Sequence, residues 1–412
     1  IVGYCNGKVS ISSMNTNIST VYSSNENVGG AIGYCTGASI TNTSLGTVSV
    51  TSGGNCKGGF IGKSAGNNAV TFTGSNSIGA ITMNSAGSYV GMFIGSCEGM
   101  LTVSGQNATV PQNFTYVGSG DNNYSRIGAI AGYANGANIS GYAFGNITIG
   151  SETNRACNYN GGFVGECGSS FTLKNCSAES IKVYAASVYK SSGTFSHSSS
   201  VSYNGGIVGK VNGNADVNTL EIGSLTLTSE GTYVGGISGN VTGTTKLYNV
   251  SILGSLSSIV NKMPDTGGMI GYAAGAVTAE NCVNHASVTF AESRAYNEEK
   301  ASKLGGIIGT LGNSASTFKN CENYGTVTQI ASNFNYTGGI VGATYGAVTF
   351  TDCANYGTIS ATGAYTGGIL GGFSSNVAAT FTNCTNTANV TGTECVGGIC
   401  GRQYSSSGAS TK

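Results

Sequence analysis

The side chains that most often carry catalysis are scarce in this sequence. Lys and Arg together number 17, Asp and Glu together number 17, and the chain has 412 residues. The aspartates and histidines are Asp121, Asp216, Asp265, Asp352, His197 and His285. Neither histidine has an adjacent acid, so the sequence does not indicate a nucleophile–His–acid triad. Glycoside hydrolysis needs paired carboxylates, and the four aspartates are scattered. We predict that the protein is not an enzyme.

The 13 cysteines are the remaining reactive side chains. No CxxC pair occurs, and cysteine-based zinc sites usually contain one. The many Gly-x-x-Gly words do not indicate a nucleotide loop, because that loop needs a strand-to-helix context and a Lys or acid downstream. We predict no metal and no cofactor.

The overall charge excludes two classes of partner. Positive and negative residues balance, and no run of Lys or Arg could neutralise phosphates, so nucleic acid is not an expected partner. No stretch of eighteen apolar residues occurs, so we expect no membrane-spanning helix in this segment. The chain has 68 Gly, only 2 Pro and 8% charged residues. With its many Ser, Thr and Asn residues, this composition suits strands and tight turns better than helices.

The elements that position these residues follow an internal repeat. A glycine word, two small residues, then two apolar or small residues and a glycine, recurs at intervals of 29 to 44 residues. It begins at Gly29, Gly58, Gly91, Gly128, Gly161, Gly205, Gly235, Gly267, Gly305, Gly338, Gly367 and Gly397. Two alternating runs follow each word, such as Val348–Thr351 and Thr358–Ser360, and period-two alternation indicates strands. Each unit of about thirty residues therefore predicts three short strands.

Three strands cannot bury a face alone, whereas stacked units share a continuous core. The sequence therefore predicts an all-β fold, a parallel β-solenoid of about 12–13 coils of roughly 30 residues each. The usual crossover of parallel strands predicts a right-handed coil. We expect one continuous solenoid over residues 1–412, and we expect it to be an excerpt of a longer repeat protein because it opens in mid-word at Ile1.

Two columns of identical residues are predicted inside the solenoid. An Asn or Asp followed by Cys recurs in register, and four of these cysteines fall in consecutive units: Cys282, Cys321, Cys353 and Cys384. Two residues after each lies an asparagine: Asn284, Asn323, Asn355 and Asn386. Stacked asparagines can hydrogen bond from amide to amide. Cysteines one coil apart lie within disulfide reach, but their parallel Cβ vectors suit the disulfide dihedral poorly. A small buried hydrophobe is the alternative role.

The longest units gain their extra residues just before the next glycine word. We predict insertions at 109–126, 184–204 and 290–304. Inserts at one point of the repeat must emerge along one edge, and loops on a rigid scaffold commonly carry recognition. The tyrosines Tyr116, Tyr124, Tyr189, Tyr203 and Tyr296 are the expected partner contacts on this edge. Loop growth without function is the alternative.

The repeat resembles the GLUG-repeat family of surface proteins, which is named for a recurring Gly-Leu-any-Gly word. Matching words here include Gly206–Gly209, Gly306–Gly309, Gly339–Gly342 and Gly368–Gly371, although Ile often replaces Leu. The resemblance implies secretion and an adhesive or structural role at the cell surface. It supplies no catalytic residues.

We therefore expect an extracellular scaffold that self-associates, or stacks with further repeats of the same protein, into a filament or surface layer. A glycan or host-surface ligand is a second expected partner. Seven Asn-x-Ser/Thr sequons are candidate glycosylation sites: Asn107, Asn113, Asn138, Asn146, Asn240, Asn249 and Asn335.

Two alternative functions stay open. Acidic and aromatic residues lining one groove would favour a carbohydrate-active β-helix, a lyase or hydrolase. A flat array of outward-facing Thr and Ser, such as Thr47 with Ser49 or Thr326 with Thr328, would favour ice binding.

Overall fold

The chain is all-β in the computed structural model. The structure describes residues 1–16, 21–23, 26–52, 54–83, 87–105, 112–117, 125–152, 156, 158–185, 188–191, 194–197, 202–259, 265–291, 302–330, 336–374 and 376–404. Within these ranges there is no helix, and so none that could cross a membrane. Parallel strands stack as a β-solenoid of about 10 turns, with about 32 residues per turn. The predicted fold class is confirmed, although the turns number about 10 instead of the expected 12–13. The right-handed winding stays a prediction.

Contacts divide the chain into two compact units, each described here by itself. In the first unit, Ile1–Gly213, the strands are Val2–Tyr4, Lys8–Ser12, Asn15–Thr16, Val21–Ser23, Val28–Gly29, Ile32–Cys35, Gly37–Thr41, Ser44–Ser52, Lys57–Gly58, Ile61–Ser64, Val70–Thr73, Ser77–Met83, Val90–Gly91, Ile94–Ser104, Gln112–Tyr116, Ala131–Ser140, Ala143–Ile149, Asn160–Gly161, Val164–Cys167, Phe171–Ala185, Val188–Ser191, Thr194–His197, Tyr203–Gly205 and Val208–Val211.

In the second unit, Asn214–Lys412, the strands are Ala215–Ser229, Tyr233–Gly235, Ser238–Val241, Thr245–Ile259, Asp265–Gly267, Ile270–Ala273, Val277–Glu280, Val283–Asn284, Ser287–Ala291, Lys303–Gly305, Ile308–Leu311, Ser316–Lys319, Glu322–Asn323, Val327–Ile330, Tyr336–Gly338, Val341–Thr344, Val348–Thr351, Ala354–Asn355, Ile359–Ala361, Tyr365–Gly367, Leu370–Ser374, Ala379–Thr382, Thr385–Asn386, Val390–Thr391, Val396–Gly397 and Cys400–Tyr404.

The glycine words set the register of the turns. Gly338 pairs with Gly305 on one side and with Gly367 on the other, always in parallel. In the first unit Gly58 pairs likewise with Gly29 and Gly91. The two alternating runs of each thirty-residue repeat also pair in parallel with the same runs of the next turn, as Val348–Thr351 does with Ala379–Thr382. Each turn therefore repeats the previous one by a single strand spacing, about 4.8 Å.

A left-handed backbone residue separates the two alternating runs. Asn281, Asn320, Asp352 and Asn383 have φ between 49° and 55° there. Asn and Asp tolerate this conformation better than other residues with a Cβ. The Asx-Cys pair thus combines a corner residue that accepts positive φ with a thiol that follows it.

The predicted insertion at 109–126 is wrong over Gln112–Tyr116. This segment is a strand of the first unit that pairs in parallel with Ala143–Ile149, and Phe114 and Tyr116 are fully buried. The physical reason is visible in the sequence, because Asn113-Phe114-Thr115-Tyr116 alternates polar with apolar side chains, the pattern of a half-buried strand.

The other two insertions have ends that belong to the solenoid. Val188–Ser191 and Thr194–His197 form an antiparallel pair inside 184–204, while Tyr203 begins the next strand. In 290–304, Phe290 and Leu304 are buried and pack in one core cluster. Residues 292–301 lie outside the described part of the chain.

Lys57 interrupts an apolar core column of the first unit. It pairs with Val28 in one neighbouring turn and with Val90 in the other, and it is 0% exposed. Burial lowers the pKa of Lys57 to about 8, although the neighbouring Cys56 raises it slightly. The folded state therefore favours the neutral amine, and a charged Lys57 destabilises it.

We predict that Lys57→Met stabilises the protein at pH 7. In the wild type, the buried charge of Lys57 lowers the free energy of unfolding by its full amount below pH 8. This loss is relieved between about pH 8 and 10.5, because there the folded state has released the proton while the unfolded state still binds it. The gain of the variant is at most about 3 kcal/mol at pH 7, and it should shrink over that same interval. Denaturant unfolding of both proteins from pH 6 to 10.5 measures this difference.

Lys63→Met is the matched control. Lys63 forms a partly exposed ion pair with Glu98 at 2.8 Å, so its removal should not stabilise the protein. A Lys57→Met variant that is no more stable than wild type at pH 7 would contradict the prediction.

Candidate functional site

The second unit contains a hydrogen-bonded ladder of asparagines. Asn284 Nδ2 donates to Asn323 Oδ1, Asn323 Nδ2 to Asn355 Oδ1, and Asn355 Nδ2 to Asn386 Oδ1, each at 2.8 Å. Each Nδ2 also donates to the carbonyl oxygen two residues further along its own turn, at 2.8 to 3.1 Å. Asn284, Asn323 and Asn355 are 0% exposed. The buried amide nitrogens therefore use both hydrogens, which makes the ladder a continuous satisfied network.

The second glycine of the words that begin at Gly267, Gly305, Gly338 and Gly367 faces this ladder. A Cβ at Gly339 would lie 2.1 Å from the carbonyl oxygen of Gly368 and 2.5 Å from Cγ of Asn355. Gly306 and Gly368 are placed in the same way against Asn323 and Asn386. The glycine is required here because the backbone passes directly over an asparagine side chain.

The cysteine column lies beside the ladder. Cys282, Cys321 and Cys353 are fully buried, and Cys384 is half-buried. The described cysteines are free thiols. Hydrogen bonding with the Cys321 thiol, together with burial, raises the pKa of Cys353 to about 12, against a smaller lowering by Cys384. The thiolate is the reactive form of cysteine, so the raised pKa keeps the Cys353 thiol unreactive at neutral pH.

Tyrosines and charged residues collect at another corner, two residues before most of the glycine words. In the first unit this position holds Asn27 and Cys56 in the earlier turns, followed by four half-buried residues in successive turns: Tyr89, Arg126, Tyr159 and Tyr203. The Arg126 guanidinium lies over the rings of Tyr89 and Tyr159, 5.1 and 4.6 Å from their centroids. Tyr159 and Tyr203 stack at 5.2 Å. The ring faces are covered by their neighbours along the column, which leaves ring edges towards solvent.

A second column runs beside the first and is formed by the residues that lie five positions after the first glycine of a word. Glu166, 7% exposed, accepts a hydrogen bond from Arg126 Nε at 2.5 Å and another from Asn212 Nδ2 at 2.9 Å. Tyr133 meets Tyr89 edge to face at 6.3 Å, and Lys210 Nζ lies 4.6 Å from the Tyr203 ring centroid. We call the seven residues of these two columns the first tyrosine–cation face: Tyr89, Arg126, Tyr133, Tyr159, Glu166, Tyr203 and Lys210.

The first tyrosine–cation face is backed by unusual backbone. Tyr89, Arg126 and Tyr159 have φ of 64°, 61° and 60°. Large side chains rarely adopt this left-handed conformation, and such residues persist only where the surrounding contacts hold them. Asn27 and Cys56 have φ of 65° and 60° at the same position of the preceding turns, so this conformation belongs to the corner itself. The face is the candidate site of the first unit because its rings and charges cluster there at the surface.

The second unit has an equivalent surface, which we call the second tyrosine–cation face: Tyr233, Asp265, Tyr272, Lys303, Thr310, Tyr336, Tyr365 and Arg402. Tyr233 and Tyr272 lie 5.5 Å apart, and Arg402 both stacks over Tyr365 and donates to its hydroxyl. Asp265 and Lys303 pair at 3.4 Å. Burial raises the pKa of Asp265, although Lys303 and the Thr310 hydroxyl pull it down.

Of the five tyrosines expected on the partner edge, only some can be placed in the structure. Tyr203 lies in the first tyrosine–cation face, whereas Tyr116 is wrong as an edge residue because it is 0% exposed in a core strand. Tyr124 and Tyr296 lie outside the described residues, and the side chain of Tyr189 is not described. Arg126, the last residue of the insert 109–126, occupies the same column of the first unit as Tyr203.

The candidate glycosylation sites separate by burial. Asn113, Asn138, Asn146 and Asn249 are exposed. Asn240 is wrong as a glycan acceptor on the folded chain, because it is 5% exposed and its Nδ2 donates to the carbonyl of Tyr272. Asn107 and Asn335 lie outside the described residues.

The described residues contain no group of three or more His, Cys, Asp or Glu side chains placed to hold a metal ion. Comparison with known proteins gives no family: no family model, no curated protein and no solved structure matches the chain. The GLUG resemblance therefore stays a prediction.

We predict that Asn323→Ala destabilises the protein by about 2–4 kcal/mol, because it leaves the buried Asn284 Nδ2 and Asn355 Oδ1 without their amide partner. Asn320→Gly in the same turn is the control. Asn320 is exposed, has φ of 49° and bonds Asn281 at the surface, so its loss should cost under about 0.5 kcal/mol. Urea unfolding of both variants decides, and equal small losses would contradict the ladder's role.

Proposed function

We propose that this chain is a structural and adhesive scaffold of an extracellular surface protein, and that its first tyrosine–cation face binds a glycan. The observation that carries the scaffold role is the engagement of reactive side chains in contacts between turns. Buried asparagines bond one another, buried thiols pack in a column, and Glu166 and Asp265 are held by Arg126 and Lys303. These groups stabilise the stack rather than stand ready for catalysis.

The same observation weighs against a carbohydrate-active enzyme. An acidic and aromatic surface is present, as that alternative requires. However, a glycosidase needs one carboxyl as acid and another as nucleophile or base. In each face the buried carboxylate is instead paired with a positively charged side chain, at 2.5 Å for Glu166 with Arg126 and 3.4 Å for Asp265 with Lys303.

A glycan fits the first tyrosine–cation face for three reasons. The half-buried tyrosines and Arg126 recur in successive turns, so the surface can follow an extended polymer. Phenol edges and cationic side chains offer hydrogen-bond donors to sugar hydroxyls. The face also lies directly after the segments of most variable length, and loops on a rigid scaffold commonly carry recognition.

An extracellular location is compatible with the free thiols. Oxidation of cysteine proceeds through the thiolate, and the buried Cys321, Cys353 and Cys97 have raised pKa values. Burial thus protects these thiols in an oxidising environment. The resemblance to surface proteins and the exposed sequons support the same location.

We predict that the Tyr159→Phe/Tyr203→Phe double variant loses glycan binding about tenfold or more, since each lost hydrogen bond contributes about 0.5–1.5 kcal/mol. The substitution removes the hydroxyls and keeps the stacked rings, and the melting temperature of the variant is measured beside its affinity. A glycan array probed with the full chain finds the ligand, and titration measures the affinity.

Tyr324→Phe/Tyr356→Phe is the matched control, because these tyrosines are 44% and 42% exposed and stack at 4.7 Å on a different surface. Binding by neither wild type nor control would refute glycan recognition. Equal binding by all three proteins would refute this face as its site.

Ice binding is favoured by a separate observation in the first unit. The first alternating runs place two columns of hydroxyls in register over four turns: Ser10, Ser39, Thr71 and Thr102, with Ser12, Thr41, Thr73 and Ser104. Thr41 and Thr73 hydroxyls are 2.9 Å apart. Spacings of about 4.8 Å between turns and about 6.6 Å along a strand make a regular flat lattice that could order water. The hydroxyl pairs expected from the sequence, such as Thr47 with Ser49, lie in the second runs, whereas this array lies in the first runs.

If this array binds ice, wild-type protein should show thermal hysteresis and Thr71→Lys should abolish it, because a long charged side chain disrupts the flat surface. Tyr324→Lys, away from the array, should retain the effect. Absence of hysteresis in the wild type eliminates this second function.

A further inference from the structure

The ion pair between Asp265 and Lys303 differs from the other described ion pairs in its burial and its chemistry. Their side chains are only 9% and 17% exposed, compared with 37% and 56% for the Glu280–Lys319 pair. The Arg126–Glu166 pair is also largely buried, but a guanidinium stays protonated and is not a nucleophile. Asp265 with Lys303 thus combines a buried carboxyl with an amine that becomes nucleophilic once it loses its proton.

The backbone holds the two side chains together. Asp265 and Lys303 are direct partners on neighbouring parallel strands, Asp265–Gly267 and Lys303–Gly305, and Nζ lies 3.4 Å from Oδ1. The distance joins Nζ to an oxygen of the carboxyl, so the amine lies beside the group whose carbon it would attack. Fixing two reactants side by side lowers the entropic barrier to their reaction. Because the two residues are in register, a bond between their side chains would leave the strand pairing unchanged.

Burial disfavours charge on both side chains of the pair. Tyr272 and Tyr345 border the pair, and burial and the Asp265 charge raise the pKa of Tyr272. Burial raises the pKa of Asp265 and acts to lower the pKa of Lys303, but the facing Asp265 carboxylate and Tyr345 together raise the pKa of Lys303 overall. Transfer of one proton from the ammonium to the carboxylate leaves a neutral amine beside a carboxylic acid. Low polarity narrows the free-energy gap between these two arrangements, because it disfavours charge separation.

We propose that Lys303 and Asp265 condense to an amide that covalently links adjacent turns of the second unit. The neutral Nζ attacks Cγ of the protonated Asp265 carboxyl, the C–N bond forms, the C–O bond breaks, and the carboxyl oxygen leaves as water with the proton from nitrogen. No oxidant, reductant or other reactant is consumed.

Such a link would serve a scaffold that carries load. It closes the chain between residues 265 and 303 and holds together the two turns on either side of the segment 292–301. Unlike a disulfide, it is not reversed by thiols. The inference rests on the geometry of the pair and does not depend on glycan binding.

Intact-mass spectrometry of the full folded chain tests the proposal. After incubation at neutral pH, the wild type should be lighter than its sequence by one water, and digestion should yield one peptide pair joined through Asp265 and Lys303. The same chain kept in denaturant from purification onwards should retain its full mass, because the reaction needs the folded geometry.

Two variants separate this reaction from other losses of water. Lys303→Arg keeps the positive charge but cannot condense, so it should have its full sequence mass while circular dichroism shows it folded. Lys319→Arg, in the exposed pair, should lose water as the wild type does. A wild type that keeps its full mass would overturn the proposal. A loss that persists in Lys303→Arg would also overturn it, since a cyclic imide at Asp265 loses the same mass without a cross-link.

Discussion

The structure depends on one constraint: in a parallel stack of equal turns, every side chain lies about one strand spacing from its own equivalent. A residue type is tolerated only if it can pack on itself or on a chosen complement. Asparagine does so because it is both donor and acceptor, and phenylalanine does so by stacking, as Phe318, Phe350 and Phe381 do at 5.2 Å steps. Like charges at this distance repel. The 8% charged content of the chain follows from this constraint.

Where charges occur in a column, neighbouring turns often supply the opposite sign. Asp265 is in register with Lys303, Glu280 with Lys319 and Glu166 with Lys210. Arg126 uses a second solution, because its guanidinium lies between tyrosine rings and also reaches Glu166. A buried charge that loses such a partner would be strongly destabilising. The tyrosine–cation faces therefore stabilise the stack as well as offering a surface.

The sequence predicts the parts of the molecule that repeat in letters. Glycine words, alternating runs and the Asn and Cys columns are visible because the same residue type is needed at the same place in each turn. The tyrosine–cation faces were missed because their column holds Tyr, Arg, Asp and Lys, which stack by complementarity rather than identity. Counting back two residues from each glycine word would have aligned them. The length of the repeat is a poor guide around Gln112–Tyr116, because the extra residues there include a regular strand. In the sequence this strand is marked only by the alternation of apolar Phe114 and Tyr116 with polar residues.

The inner columns and the corner column tolerate different residues, and this difference explains why recognition is expected at one corner. Inner columns are fixed by self-stacking, so a change in one turn disturbs the turns above and below it. The corner before the glycine word is different, because variable segments enter there and the column already accepts unlike side chains. Tyr89, Arg126 and Tyr159 also keep left-handed backbone at this corner without glycine or asparagine. A surface that tolerates sequence variation while its backbone stays fixed by the register of the neighbouring turns is suited to hold a ligand.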